Sequence, residues 1–347
     1  MRDLARILTD WHLRHGRHGL PWQQQKTPYR VWVSEIMLQQ TQVATVIGYY
    51  ERFMRRFPDV ESLAAAAIDE VLHLWAGLGY YSRARNLHRA AQLIVQEHSG
   101  EFPGEVEALA ELPGIGRSTA AAIVSIAFGR RATILDGNVK RVLARYFAIE
   151  GAPNERRVEQ QLWQRAEECT PVSQVATYTQ AVMDFGATVC TRHDPLCMHC
   201  PLQTGCEAFA SGRVHELPTP RKRLNRPTRQ VVMLLAVNRR GDVLLQRRPA
   251  RGIWGGLWSL PEFDSAEAAT RFCESELRSE PSHTERMALV HHAFTHFDLE
   301  ITPLRVSLTG PPLESTDGGV LWYNARDPER IGLPAPIATL LAGMELQ

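Results

Sequence analysis

Lysine is scarce in this chain. Of 39 basic side chains only Lys26, Lys140 and Lys222 carry an amine, so chemistry that needs a nucleophilic amine has few candidates. Net charge is also small, at +1 over 347 residues. A strongly basic chain would make nucleic acid the default partner; here any basic face has to come from local arrangement. Long apolar runs are missing. The longest run of small residues covers only 64–67, far short of the roughly 20 residues needed to span a bilayer. The N-terminus opens on charged and polar residues and lacks the apolar core of a signal peptide, which places the chain in the cytoplasm. Cysteine is sparse too. Six in a cytoplasmic chain are not a disulfide framework.

What is present divides the chain. Its length suits two domains. Residues 1–225 carry 26 basic against 23 acidic side chains, and 226–347 carry 13 against 15. Up to about residue 210 the apolar residues recur at helical spacing, as in Leu4, Ile7, Leu8 and Trp11, or Val43, Val46, Ile47 and Tyr50. The same pattern covers 63–75, 84–95 and 120–128. Residues 211–228 are rich in proline and arginine and read as an extended, positively charged linker. Strand signals follow. The run 231–237, a turn at Arg239-Arg240-Gly241-Asp242 and Val243-Leu244-Leu245 make a hairpin. Phe297, Leu299 and Ile301 alternate with polar residues, as in a half-buried strand.

Four cysteines cluster. Cys190, Cys197, Cys200 and Cys206 have the spacing C-x6-C-x2-C-x5-C. Four thiolates this close suit an iron–sulfur cluster or tetrahedral zinc, with His193 and His199 as alternative zinc ligands. A second motif is Leu112-Pro113-Gly114-Ile115-Gly116-Arg117-Ser118-Thr119-Ala120, set between two helical stretches. Gly114 and Gly116 permit positive φ. Ser118 or Thr119 can cap the following helix, whose free N–H groups suit a phosphate.

Two carboxylates stand out. Asp136, in Ile134-Leu135-Asp136-Gly137-Asn138-Val139-Lys140-Arg141-Val142, sits where an N-cap is expected. Glu35 on a helix has Val31, Trp32, Leu38 and Gln39 three and four residues away. That face is apolar for a glutamate. It supports either a desolvated, proton-bearing acid or a carboxylate paired with an arginine.

Several of these motifs together carry a family resemblance. Ser34-Glu35-Ile36-Met37-Leu38-Gln39-Gln40-Thr41-Gln42-Val43, Gly77-Leu78-Gly79-Tyr80-Tyr81-Ser82-Arg83-Ala84-Arg85-Asn86, the hairpin and the cysteine spacing resemble the adenine DNA glycosylases, the MutY family of the endonuclease III helix-hairpin-helix superfamily. The resemblance runs through nearly all of 1–210. It implies a multidomain protein with an all-α helix-hairpin-helix glycosylase domain over 1–210, its hairpin at about 109–129 and an iron–sulfur loop at 190–206. It implies one [4Fe–4S] cluster on the four cysteines and a monovalent cation at the hairpin. Glu35 is then the acid that protonates adenine, Asp136 stabilises the sugar cation, and Asn138 holds Asp136 in place. Gln40 and Tyr80 match the family's wedge positions, with Gln39 beside them. Gly114, Gly116, Ser118, Thr119 and Lys140 are expected against the DNA backbone. Relatives that nick the strand have lysine where this chain has Ser118, so base removal without efficient strand cleavage is expected.

Residues 229–347 resemble a Nudix-type α+β domain through Gly241-Asp242-Val243-Leu244-Leu245-Gln246-Arg247-Arg248 and Trp254-Gly255-Gly256-Leu257-Trp258-Ser259-Leu260-Pro261. The stretch 264–272 lacks the carboxylate helix by which working Nudix hydrolases bind magnesium. The resemblance implies instead a reader of 8-oxoguanine that uses Thr295 and His296 in His292-Ala293-Phe294-Thr295-His296-Phe297. The expected partner is duplex DNA holding adenine opposite 8-oxoguanine or guanine, with no membrane and the protein a monomer. A pyrimidine glycosylase with lyase activity fits Glu35 and Ser118 poorly, and a non-catalytic iron–sulfur DNA-binding protein has no use for Glu35 and Asp136 together.

Overall fold

The computed structural model describes residues 2–220, 225–309 and 319–344. It divides into two compact units, Met1–Ala65 with Asn86–Arg223, and Ala66–Arg85 with Leu224–Gln347.

The first unit is helical among its described residues. It holds α1 (Arg2–His15), α2 (Pro28–Leu38), α3 (Val43–Arg56), α4 (Val60–Ala65), most of α6 (Ser82–His98), α7 (Val106–Ala110), α8 (Arg117–Phe128), α9 (Gly137–Tyr146), α10 (Arg156–Cys169), α11 (Val175–Thr188) and α12 (Glu207–Ala210). Helix α5 (Ile68–Trp75) belongs to the second unit. The helical stripe expected over 63–75 is thus two helices, because Ala67 leaves the helix with extended backbone and becomes the N-cap of α5.

Helix α2 forms because Thr27 caps it, accepting from the Arg30 N–H at 3.3 Å, and Pro28 supplies a pre-set φ at the first position. Trp32, Val33 and Met37 are fully buried, each contributing about 1.5–3 kcal/mol relative to exposure. This face packs on α8, whose Ala120, Ala121 and Ala122 let the two backbones approach closely.

Residues 211–220 do not run as a free extended linker. Val214 and Leu217 bury their side chains with Ala208, and Cys197 and Cys206 pack against that cluster. Arginine and proline content signalled a linker, but two apolar residues in the segment found a core to join. Residues 221–224 of the expected linker lie outside the described residues, and Thr228 already begins a strand.

In the second unit a sheet runs in the order β3 (Trp258–Ser259), β2 (Val243–Arg247), β1 (Thr228–Val237), β7 (Asp298–Leu308), β5 (Pro281–Arg286). Off this path β4 (Glu262–Phe263) pairs with β1, β6 (Val290–Ala293) with β7, and β8 (Val320–Tyr323) with β2. The expected hairpin is there: β1 and β2 are antiparallel, with Asn238 Oδ1 accepting from the Arg240 and Asp242 N–H groups across the turn. Its other neighbour, β7, runs parallel, with Val231 opposite Ile301. Leu299 and Ile301 are buried in alternation, as their pattern required. Residues 264–272, examined above for magnesium ligands, enter α13 (Ala266–Ser275), which packs Ala269 and Cys273 against Leu234, Leu304 and Val306. Helix α14 (Ala335–Ala342) closes the described chain.

Candidate active site

A cleft of about 1100 Å³ opens in the helical unit, and both Glu35 and Asp136 line it. Glu35 comes from the last turns of α2. Burial, and next the charge of Asp136, push its carboxyl up to about 8, and no hydrogen bond offsets this. Glu35 therefore carries a proton at neutral pH. The sequence left an acid and an arginine-paired carboxylate equally open; among the described residues no arginine pairs with Glu35.

Asp136 has two duties. It is the N-cap of α9, with Oδ1 accepting from the Val139 N–H at 2.8 Å. Its Oδ2 accepts from Asn138 Nδ2 at 3.2 Å. Burial raises its pKa, while these hydrogen bonds and the Arg141 cation pull it back toward the anion. Its charge acts on Glu35. The cleft thus pairs a proton-bearing acid with a hydrogen-bonded carboxylate, the division of labour that glycosidic bond cleavage uses.

Arg141 was not singled out by the sequence. Its guanidinium donates to Asn138 Oδ1 (2.8 Å), the Gly186 carbonyl (2.5 Å) and the Cys190 carbonyl (2.8 Å). One side chain so ties the amide beside Asp136 to the first cysteine of the cluster loop. A Cβ on Gly186 would come within 2.7 Å of Asn138 Cβ, so this packing needs glycine.

The four cysteine thiols lie near one another: burial raises the Cys200 thiol, with smaller contributions from Cys190, Cys206 and Cys197, and the Cys206 and Cys197 thiols also feel Cys190. Arg145 is only 3% exposed and organises the loop. It donates to the carbonyls of Thr191 (2.6 Å), Arg192 (3.1 Å) and Leu217 (2.8 Å), and to Cys190 Sγ at 3.4 Å. His193 and His199 are exposed. Among the described residues no three His, Cys, Asp or Glu groups converge on a single metal ion. Four thiolates in one loop are the donor set of a [4Fe–4S] cluster or of tetrahedral zinc.

With this geometry in view, the comparisons with known proteins are decisive. Residues 33–168 match the HhH-GPD superfamily of base excision DNA repair proteins, and residues 232–343 match the NUDIX domain. The adenine DNA glycosylase of Buchnera aphidicola subsp. Acyrthosiphon pisum is 36% identical over 340 residues, covering 97% of this chain and 96% of the relative. The human adenine DNA glycosylase is 34% identical over 394 residues, covering 94% of this chain and 72% of the relative. The chain belongs to the adenine DNA glycosylase family. Among solved structures, a thermostable thymine-DNA glycosylase superposes with a TM-score of 0.55 at 26% identity, over 60% of this chain and 96% of that one. An endonuclease III bound to DNA shares the fold, with a TM-score of 0.52 at 22% identity, over 61% and 95%.

In this adenine DNA glycosylase family member the hairpin departs from expectation at Gly116, Ser118 and Thr119. Gly114 has φ +79 and backs onto Asn86, which a Cβ would meet at 2.8 Å. Gly116, however, has φ −86 and serves as the extended N-cap of α8. Neither Ser118 nor Thr119 caps that helix. Ser118 Oγ instead accepts from the Leu135 N–H at 2.9 Å, holding the backbone just before Asp136. Thr119 Oγ1 accepts from Gln39 Nε2 at 3.4 Å. With no side chain capping α8, its first N–H groups are left for an outside acceptor. Lys140 does not line the cleft; its Nζ donates to Glu159 at 2.6 Å.

Gln39 and Gln40 line the cleft, and Gln40 has left-handed backbone, φ +58. In the second unit Tyr80 also has left-handed backbone, φ +49, just after Gly77 and Gly79, whose φ is positive as well. Such strain in a non-glycine residue collects at functional sites. Tyr80 is 45% exposed, and its hydroxyl shares a hydrogen bond of 3.1 Å with Thr295 Oγ1. Thr295 and His296 are exposed.

Sequence reasoning also missed Arg17 and Asp184. Asp184 is 0% exposed on α11 and accepts from the Arg17 backbone N–H (3.0 Å), Nε (3.0 Å) and Nη2 (2.6 Å). Against burial, the His12 side chain and then Arg17 hold its carboxyl below the usual range, and the Arg17 bonds set that residue in the cleft lining. Residues 167 apart leave no local pattern to find.

Proposed function

We propose that the protein is a monofunctional DNA glycosylase, acting as a monomer, that hydrolyses the N-glycosidic bond of adenine opposite 8-oxoguanine or guanine. The observation that carries this reading is the placement of Glu35 and Asp136 on one cleft, where burial, and next the charge of Asp136, push the Glu35 carboxyl up to about 8. Glu35 gives that proton to N7 of the extruded adenine. The glycosidic bond breaks with its electron pair going to the base, and positive charge gathers on deoxyribose. The Asp136 anion, held by Asn138 and the start of α9, stabilises that charge. Glu35, now a carboxylate, takes a proton from the water that adds to the sugar, and the cycle closes. An acid placed this way is worth about 10²–10⁴ in rate.

Extruding a base costs a few kcal/mol and leaves a gap. Gln40 and Tyr80 are the wedges, and Gln39 lies beside Gln40. Gly114, Gly116 and the open N-terminus of α8 take a DNA phosphate, with a monovalent cation on the hairpin. Thr295 and His296 read the opposite base. Cys190, Cys197, Cys200 and Cys206 hold one [4Fe–4S] cluster, whose contribution is to fix the loop that carries Arg192. Strand cleavage is not part of the activity: Ser118 has no amine, and the Lys140 amine is paired with Glu159. Incubating the protein with duplexes carrying A:8-oxoguanine, A:G, A:T and an oxidised pyrimidine, with and without alkali, tests the proposal. Free adenine and nicks that need alkali are expected. Nicking at the pyrimidine without alkali, or binding without release, would overturn it.

A further inference from the structure

Trp254 has the left-handed backbone of a glycine, φ +53, yet its ring is 6% exposed. A bulky residue keeps that conformation only where its surroundings impose it. Those surroundings are on both sides. Arg248 donates to the Ile253 carbonyl at 3.1 Å and lies over the Trp254 ring. Arg85 donates to the carbonyls of Gly255 and Ala250. A Cβ on Gly255 would come within 2.4 Å of the Ala250 oxygen, so the chain can double back here only through glycine. The ring itself meets His292 and Phe294, each with centroids 5.4 Å away. His292 and Phe294 meet edge to face at 4.6 Å, and Phe294 stacks on Phe297 at 4.8 Å.

Phe294 and Phe297 are the two ends of the turn that carries Thr295 and His296, closed by the Phe294 N–H donating to the Phe297 carbonyl at 2.9 Å. The two residues between them have exposed side chains, so their direction is set from below, by the aromatic stack. We infer that Trp254 is a positioning residue for specificity: its ring anchors the Phe294–Phe297 turn so that Thr295 and His296 meet the base opposite adenine in one orientation. The inference rests on the reading of that turn as the sensor of the opposite base. A flexible turn would still touch DNA, but the cost of ordering it on binding would fall on the preferred partner base.

The experiment measures adenine release and duplex affinity for A:8-oxoguanine and A:G, and compares their ratios. Trp254→Met keeps an apolar side chain but removes the ring; Trp254→Phe keeps a ring. Two ring contacts worth about 0.5–1.5 kcal/mol each predict a loss of about tenfold in the 8-oxoguanine preference for Trp254→Met, largely rescued by Trp254→Phe. His292→Leu, at the far edge of the stack, is expected to lower it about threefold, and it decides the question if Trp254→Met fails to melt cooperatively. A folded Trp254→Met protein, or failing that a folded His292→Leu protein, with the parent's ratio overturns the inference. A Thr295→Ala/His296→Ala double variant separates the two levels. If it keeps the parent's preference, the turn is not the sensor; if it loses the preference while Trp254→Met keeps it, only the role of Trp254 falls.

Discussion

Glu35 on α2 and Asp136 at the start of α9 are half-buried in the lining of one cleft, whereas Thr295 and His296 stand exposed on a turn only two residues wide between stacked rings. Each arrangement follows from its chemistry. Proton transfer to a leaving base needs a carboxyl group that water does not stabilise as an anion, so Glu35 lies on an apolar helix face beside a second carboxylate. Recognition of a base edge needs donors and acceptors that a partner can reach, so Thr295 and His296 give up burial and borrow order from the aromatic rings beneath. On the proposed reading, removing a side chain slows the chemistry in the first region and blurs a choice in the second.

Glu35 gives the largest expected effect. Glu35→Gln should slow single-turnover adenine release by about 10²–10⁴. In the parent, release should fall as pH rises through about 8, where the acid loses its proton, and the variant should lack that limb. Stability should follow the same group with a definite sign. The folded-state pKa lies above the unfolded value, so the folded state holds the extra proton. Its contribution is full below the ordinary glutamate value of 4.5 and is lost as pH rises through about 8. Melting the parent and Glu35→Gln from pH 4 to 9 checks this: only the parent should lose stability across that window from this source.

Asp136 sharpens the contrast, because its two duties can be separated. Asparagine caps helices about as well as aspartate, so Asp136→Asn should melt close to the parent while losing at least about 10² in release, for want of the anion. Asp136→Ala should lose the cap as well, at a cost of about 0.5–2 kcal/mol. Equal activity in the parent and Asp136→Asn would remove the carboxylate from the mechanism.

The Arg145 clasp tests whether the cluster loop belongs with the rigid region. Arg145→Met leaves the carbonyls of Thr191, Arg192 and Leu217 without their donor, and each such loss costs about 1–3 kcal/mol when the group stays buried. Iron bound per chain and the melting temperature should both drop. Unchanged iron content would mean that the cysteines hold the loop without help.

How much of this was legible depended on sequence distance. Glu35 could be seen because its helix neighbours are close in sequence and apolar. Asp136 could be seen because a capping position precedes a periodic run. The β1–β2 hairpin announced itself through Gly241 and its flanking apolar residues. What stayed hidden joins distant segments: Asp184 with Arg17, Arg145 with Leu217, Arg141 with Cys190. The role of Ser118 was hidden for the same reason, since its acceptor duty is to a backbone N–H that follows the helix it was expected to cap. Composition misled at 211–220, where two apolar residues outweighed the prolines and arginines around them.

The smallest expected effect lies in the exposed region. Tyr80→Phe removes the hydroxyl that bonds Thr295 Oγ1 and leaves the ring proposed as wedge. A hydrogen bond between neutral hydroxyls is worth about 0.5–1.5 kcal/mol, and exposure puts this one at the low end, so release should change by less than about threefold. Tyr80→Ala removes the ring as well and should weaken binding of the mispaired duplex by more. Those two variants ask whether Tyr80 works through its ring or through its link to Thr295. If Tyr80→Phe matched Tyr80→Ala, the hydroxyl pair would be the working part, and the wedge role would pass to Gln40 alone.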